Sequence, residues 1–204
     1  MTLALAALVA LSLGACGQAE RPPDSGGKVG YFAAQAAKAE GATAADKRAI
    51  VDQALRHLAD APADAGLSSD EIDGLSALYA VAGDVALDAE GAARCVAVGR
   101  HLLRALPARR QGSVLRTQLS WAVAAGDQDE AVAAAKAVLE HAASDPVHDV
   151  SGAVELVEAA SRTAATSGAL PIAAAVADVA LDAARASNLT DAVERLEAWR
   201  ATLD

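Results

Sequence analysis

Apolar positions along this chain recur mostly at spacings of three and four, the period of helices that bury one face. Residues 119–146, LSWAVAAGDQDEAVAAAKAVLEHAASDP, show the pattern most fully. A helix rich in small residues runs up to Gly126-Asp127. A second follows, in which Ala131, Ala135, Val138 and Leu139 fall on one face. Asp127 suits an N-cap, and Glu130 its reciprocal partner three residues on. Asp145-Pro146 reads as the stop. Long β-branched alternations of strand period are absent, so no sheet is expected.

The pattern recurs. Gly41, Gly83, Gly126 and Gly168 are spaced by 42, 43 and 42 residues, and the segments ahead of them, QAAKAEG, LYAVAGD, WAVAAGD and AATSG, are alike. Pro62, Pro107 and Pro146 follow the first three glycines after similar intervals. A fixed period of about 20–50 residues is the mark of stacked supersecondary units. The first hairpin is expected to break at Gly41. The second opens on Ser68 and Glu71, a capping box, turns at Gly83, and ends in a long helix closed by Pro107. The fourth spans about residues 151–187, with Pro171 in the first turn of its second helix, where proline is tolerated. At the end of the chain Thr190 is placed to cap a helix. Val193, Leu196, Trp199 and Leu203 form its apolar stripe, and Glu194, Arg195, Glu197 and Arg200 its other face. An amphipathic helix of this kind seals the last unit of a solenoid.

Gly126, Asp127, Ala131 and Val138, and again Gly168, Ala173, Ala177 and Ala180, stand where tetratricopeptide repeats place the Gly that ends helix A and the small residues that pack helix B. Over residues 29–187 the chain resembles that family. It departs from it at Asp46 and Asp88, where Ala is usual, in lacking the early aromatic of helix A, and in a period longer than the usual ~34 residues. The resemblance implies an all-α fold: an α-solenoid of about four antiparallel helical hairpins over residues 31–188, with a C-terminal capping helix over 189–204. It also implies a concave groove lined by the first helix of each hairpin. In that register the partner-binding groove comprises Tyr31, Gln35 and Lys38, then Asp70 and Asp73, then Arg116 and Ser120, then Glu155, Glu158 and Arg162, with Trp121 read as core beside it. This mixed-charge surface suits a peptide or partner helix, and it lacks the family's Lys/Asn clamp for a terminal carboxylate.

The first residues carry an address. Residues 3–13 are an apolar run of signal-peptide length, short of the ~20 residues a membrane-spanning helix needs. Leu13, Gly14, Ala15 and Cys16 resemble the lipoprotein signal of bacteria, although Met1-Thr2 ahead of the run carries no Lys or Arg. The resemblance implies cleavage of residues 1–15 and lipidation of Cys16. Residues 16–30 become a lipid-anchored tether, GQAERPPDSGGKVG after the cysteine, with a random-coil reach of ~20 Å. Gly17, rather than the Asp that retains such proteins at the inner membrane, leans toward the periplasmic face of the outer membrane.

Composition narrows the function. Apolar residues make up 53% of the 204 residues but aromatics only 2%, so Ala, the best helix former, carries most of the burial. The net charge of −10 disfavours nucleic acid. Beyond Cys16 there is only Cys95, so no disulfide forms in the mature domain; Cys95 falls at a position that reads as core. No nucleophile elbow, zinc-protease, Walker or dinucleotide motif occurs. His141, Asp145, His148 and Asp149 offer zinc-type donors. Pro146 interrupts the helix between the two histidines, however, and His57, His101 and His141 recur near helix ends, as residues at a cation-friendly C-terminal turn would.

Between Glu90 and Asp127 there is no acid at all. Arg94, Arg100, Arg104, Arg109 and Arg110 form a basic belt there, with Arg116 beyond, read either as a surface for an acidic partner or lipid headgroup or as pairing with Asp70, Asp73, Asp129 and Glu130. The expectation is an exported, lipid-anchored scaffold or assembly factor that binds protein partners in a cell envelope. No enzymatic activity, cofactor, metal or small-molecule substrate is expected. The alternatives are a cytosolic helical binding module and, behind it, a metal-binding domain.

Overall fold

The computed structural model describes residues 30–60, 67–144 and 149–203. The residues expected to form a signal and a tether, 1–29 with Cys16 among them, lie outside the described residues, as do Asp145, Pro146 and His148. The described residues form nine α-helices and no strand. In order they are α1 (Tyr31–Ala39), α2 (Ala44–Asp60), α3 (Ser69–Asp84), α4 (Ala89–Ala105), α5 (Ala108–Ala125), α6 (Gln128–Ser144), α7 (Val150–Thr166), α8 (Leu170–Ala186) and α9 (Thr190–Arg200). The substantial contacts all join helices one or two places apart in this order. The core is a continuous cluster of Leu, Val and Ala running from α1 to α9.

Local sequence sets most of the boundaries. Ser68 and Glu71 form the expected capping box: the Ser68 hydroxyl accepts from the Glu71 N–H, and the Glu71 carboxylate accepts from the Ser68 N–H at 2.8 Å. Asp88 caps α4 by accepting from the Gly91 N–H at 2.7 Å. Asp127 caps α6, accepting from the Glu130 N–H at 3.0 Å. The reciprocal half of that box does not form, because the Glu130 carboxylate is engaged with Arg100 and Gln118. Thr190 is not a cap; it is the first residue of α9, with Leu189 ahead of it and no side-chain cap.

Gly126 and Gly168 both take left-handed backbone, at φ +74° and +85°, and close the same turn. The residue after each donates back to a carbonyl five residues earlier: Asp127 to Ala122 and Ala169 to Ala164. Each glycine donates to a carbonyl three residues earlier, Gly126 to Val123 and Gly168 to Ala165. This double bond pattern satisfies the last carbonyls of the helix and favours Gly. Asn188, at φ +55°, closes α8 in the same way, with Leu189 donating to Ala184.

Gly83 marks the break, as its spacing suggested, to within one residue: α3 ends at Asp84, and unlike the turns at Gly126 and Gly168 this one has no left-handed residue. The glycine of α3 that matters to packing is Gly74, where α1 crosses so closely that a Cβ would stand 2.4 Å from the Ala33 nitrogen. Cys95 and Trp121 are buried in the core, as their positions in the pattern predicted.

Candidate functional site

The groove positions divide by burial. Lys38, Asp70, Asp73, Arg116, Ser120, Glu155 and Arg162 are exposed. Tyr31 is half-buried, its ring stacked on His57 at 4.0 Å. Gln35 and Glu158 are buried, at 3% and 6% exposure. Helical position put them on the right helices but could not tell the flank that meets the neighbouring helix from the flank that meets solvent.

Two hollows gather some of these residues. A shallow one of about 230 Å³ is lined by Glu155, Glu158, Ala159 and Arg162 of α7 and Arg195 of α9. Glu158 is its centre. One carboxylate oxygen accepts from Arg162 at 2.8 Å, the other from Arg195 at 2.8 Å. Burial alone would raise this carboxyl, but the bonds from Arg195 and Arg162 outweigh it and hold Glu158 below the usual carboxylate range. The Arg162 guanidinium lies 4.4 Å above the Trp199 ring. The indole N–H of Trp199 donates to the Ser161 hydroxyl at 2.9 Å, and that hydroxyl donates to the Ala173 carbonyl at 2.7 Å. The last helix is thus tied to α7 by a connected set of polar groups. Arg195, Glu197 and Arg200, assigned from the pattern to a solvent face, all form ion pairs with neighbouring helices: to Glu158, Arg185 and Asp178.

The second hollow, about 220 Å³, lies between α5, α6 and α7. Leu115, Val138, Ala142 and Leu156 line it together with Arg116, His141 and Asp149. Gly112 and Gly152 give it room: a Cβ on Gly112 would stand 2.9 Å from His141 Nε2, and one on Gly152 3.0 Å from Asp149 Oδ2. His141 and Asp149 are therefore brought to one wall, while Asp145 and His148 of the proposed metal set fall outside the described residues. Among the described residues no three His, Cys, Asp or Glu groups converge as metal ligands. Tyr31, Gln35, Lys38, Asp70, Asp73 and Ser120 line neither hollow.

A third polar group was missed altogether. Gln118 of α5 is buried; it donates to the Val96 carbonyl at 2.9 Å and to Glu130 at 3.2 Å. Glu130 in turn accepts from Arg100 at 3.0 Å. The Arg100 bond lowers its carboxyl pKa most, against the opposing effect of burial. Gly99 exists to admit this amide, since a Cβ there would overlap the Gln118 side chain.

Most of the basic belt is neutralised within the fold. Arg94 binds Asp52 and Glu90, both at 2.7 Å, and Arg110 reaches Asp73 at 3.4 Å. Arg104, Arg109 and Arg116 are exposed and have no ion pair among the described residues. His101 does not sit in a cation-friendly turn: burial first, then the charges of Arg104 and Arg100, hold its pKa below the ordinary value. The Cys95 thiol is pushed up by burial to about 12, which makes it a poor nucleophile. No described helix is long and apolar enough to cross a membrane. In comparisons with known proteins the chain matches no family, no curated protein and no solved structure.

Proposed function

We propose that this chain is an exported, lipid-anchored protein that acts as an interaction scaffold or assembly factor in a bacterial cell envelope. Its helical region is read as an α-solenoid of about four tetratricopeptide-like hairpins with α9 as cap. The observation that carries this reading is the order of chemistry along the chain. A signal-length apolar run ends in Leu13, Gly14, Ala15 and Cys16, a Gly- and Pro-rich tether follows, and a helical body comes after it. Contacts between near neighbours in sequence are what stacked hairpins make. The turns at Gly126 and Gly168, which share one geometry, support the same repeat.

Two features favour a protein partner over a small substrate. Both hollows are smaller than the ~300–1,000 Å³ typical of small-molecule sites. The exposed groove positions carry both signs of charge, Lys38, Arg116 and Arg162 against Asp70 and Glu155, which suits a complementary polypeptide surface. The test is recovery of crosslinked partners from envelope fractions with the wild-type chain beside a Lys38→Glu/Glu155→Lys variant. A defined protein recovered with the first and lost with the second supports the scaffold reading. Recovery of no specific protein by either would remove it.

A further inference from the structure

The α4–α5 turn carries three exposed arginines: Arg104 in the last turn of α4, and Arg109 and Arg110 at the start of α5. The fold accounts for them only in part, Arg104 suiting the C-terminal turn of α4. Arg110 has one long ion pair to Asp73, and Arg104 and Arg109 have none among the described residues. Positive charge at a helix N-terminus opposes the helix dipole. The first turn of α5 carries no acid to offset them, as is also true of α1, α7 and α8, but only α5 places two arginines there.

The position of this turn is informative. Gly30, where the described chain begins, packs against the first turn of α3: a Cβ on it would lie 3.6 Å from the Glu71 Cγ and 4.0 Å from the Asp70 carbonyl carbon. Asp73 in the same region of α3 reaches Arg110. The point where the tether enters and the arginine turn therefore share one end of the helical body. The acids at that end of α3 are partly engaged, Glu71 with Ser68 and Asp73 with Arg110, leaving Asp70. The opposite end of α3, which at 16 residues is ~24 Å away, has turns bearing Asp84 and Asp88, paired with Lys47 and Arg48, and Asp127 and Asp129.

We infer that the end of the body bearing Arg104, Arg109 and Arg110 faces the membrane and that these arginines contact anionic phospholipid headgroups. This rests on the lipid-anchor reading, since the tether from Cys16 is what would hold this end at the bilayer. Basic residues near an anionic leaflet are each worth about fivefold in partition, and their effect is screened within a Debye length.

The test uses the full acylated chain, its acyl group verified by mass, reconstituted in phosphatidylcholine vesicles with and without phosphatidylglycerol. A fluorophore is placed at Ala108→Cys in the arginine turn or at Gln128→Cys at the opposite end, and vesicles carry a headgroup quencher. Cys95 is buried and stays unlabelled in the fold. The probe at 108 should be quenched only with phosphatidylglycerol, and quenching should vanish at high salt. In an Arg104→Gln/Arg109→Gln background the headgroup-contact population should fall about 25-fold, two factors of about five. The probe at 128 should not respond. Equal quenching at both positions overturns the inference while leaving the anchor. Quenching at 108 indifferent to phosphatidylglycerol does the same, since the tether alone would then bring that end to the bilayer; absence of quenching at 108 in either lipid also overturns it, and is the result expected if the turn serves an acidic polypeptide instead. A chain without acyl mass removes the anchor and the inference together.

Discussion

Two glycines of α3 are expected to respond to alanine with opposite signs. In an exposed helix interior Gly→Ala gains about 0.8–1 kcal/mol, because Ala loses less backbone freedom on folding. At Gly83 the new Cβ meets only Trp121 Cζ2 at 3.5 Å, an ordinary contact. The gain should survive there, reduced to a few tenths of a kcal/mol because Gly83 lies next to the end of the helix. At Gly74 the Cβ lands 2.4 Å from Ala33 N, 3.0 Å from Phe32 C and 3.1 Å from Ala33 Cα. Carbon contacts settle at about 3.5–4.0 Å, so α1 must retreat by about 1 Å. The atoms struck are backbone, and no rotamer change relieves them. Retreat also loosens Phe32 and Ala39, which are 2% and 1% exposed. Overpacking costs about 1–3 kcal/mol, and a clash with backbone that cannot rotate away falls in the upper part of that range, about 2–3, so after the helical gain of about 1 Gly74→Ala should lose about 1–2 kcal/mol. Urea denaturation followed by circular dichroism measures both variants, and hydrogen exchange of α1 amides locates the loss. If Gly74→Ala is as stable as the wild type, or both variants shift the same way, the close α1–α3 crossing is wrong.

Other consequences follow from the polar groups. Glu158 has a depressed folded pKa, so its contribution to stability is full above the unfolded carboxylate value of about 4.3. That contribution is lost as pH falls through the lower folded value. Glu158→Gln should therefore lower the melting temperature at neutral pH and flatten its fall below about pH 4.3, as seen in melting curves taken across pH. Trp199→Phe removes the indole donor to Ser161 and weakens the ring face under Arg162, and should cost at least about 0.5–1.5 kcal/mol. Trp199→Ala should cost more, and limited proteolysis should then release α9. Cys95, buried with its thiol pushed to about 12, should resist alkylation at neutral pH until the chain is unfolded, measured as labelling against denaturant.

What the sequence made legible was local. Ser68 and Glu71 are three residues apart, so their capping box could be read directly, and Gly126 and Gly168 announce left-handed turns that few other residues fill. Asn188 fills the same conformation with a far weaker signal, since Asn occurs in many other settings. Gly83 marked the end of α3 to within one residue but not the geometry of the turn, since nothing at that position demands a positive φ. Of the Glu158 cluster, Glu155, Glu158 and Arg162 were grouped from one helix, but their partner on α9 was not legible. Arg195 lies 37 residues from Glu158, and helical periodicity fixes which residues share a face, not which helix that face meets. The same holds for Gln118, whose partners Val96 and Glu130 come from two other helices. The resemblance placed Gln35 in a groove because it gave register along a helix but not its rotation against this chain's own neighbours.

The most direct test of the anchored-scaffold account is the intact mass and membrane fractionation of the native protein beside a Cys16→Ala version. The account predicts a membrane-bound species that has lost residues 1–15 and gained acyl mass, with both features abolished by Cys16→Ala. An unprocessed species that stays in the soluble fraction, unchanged by the substitution, would contradict it.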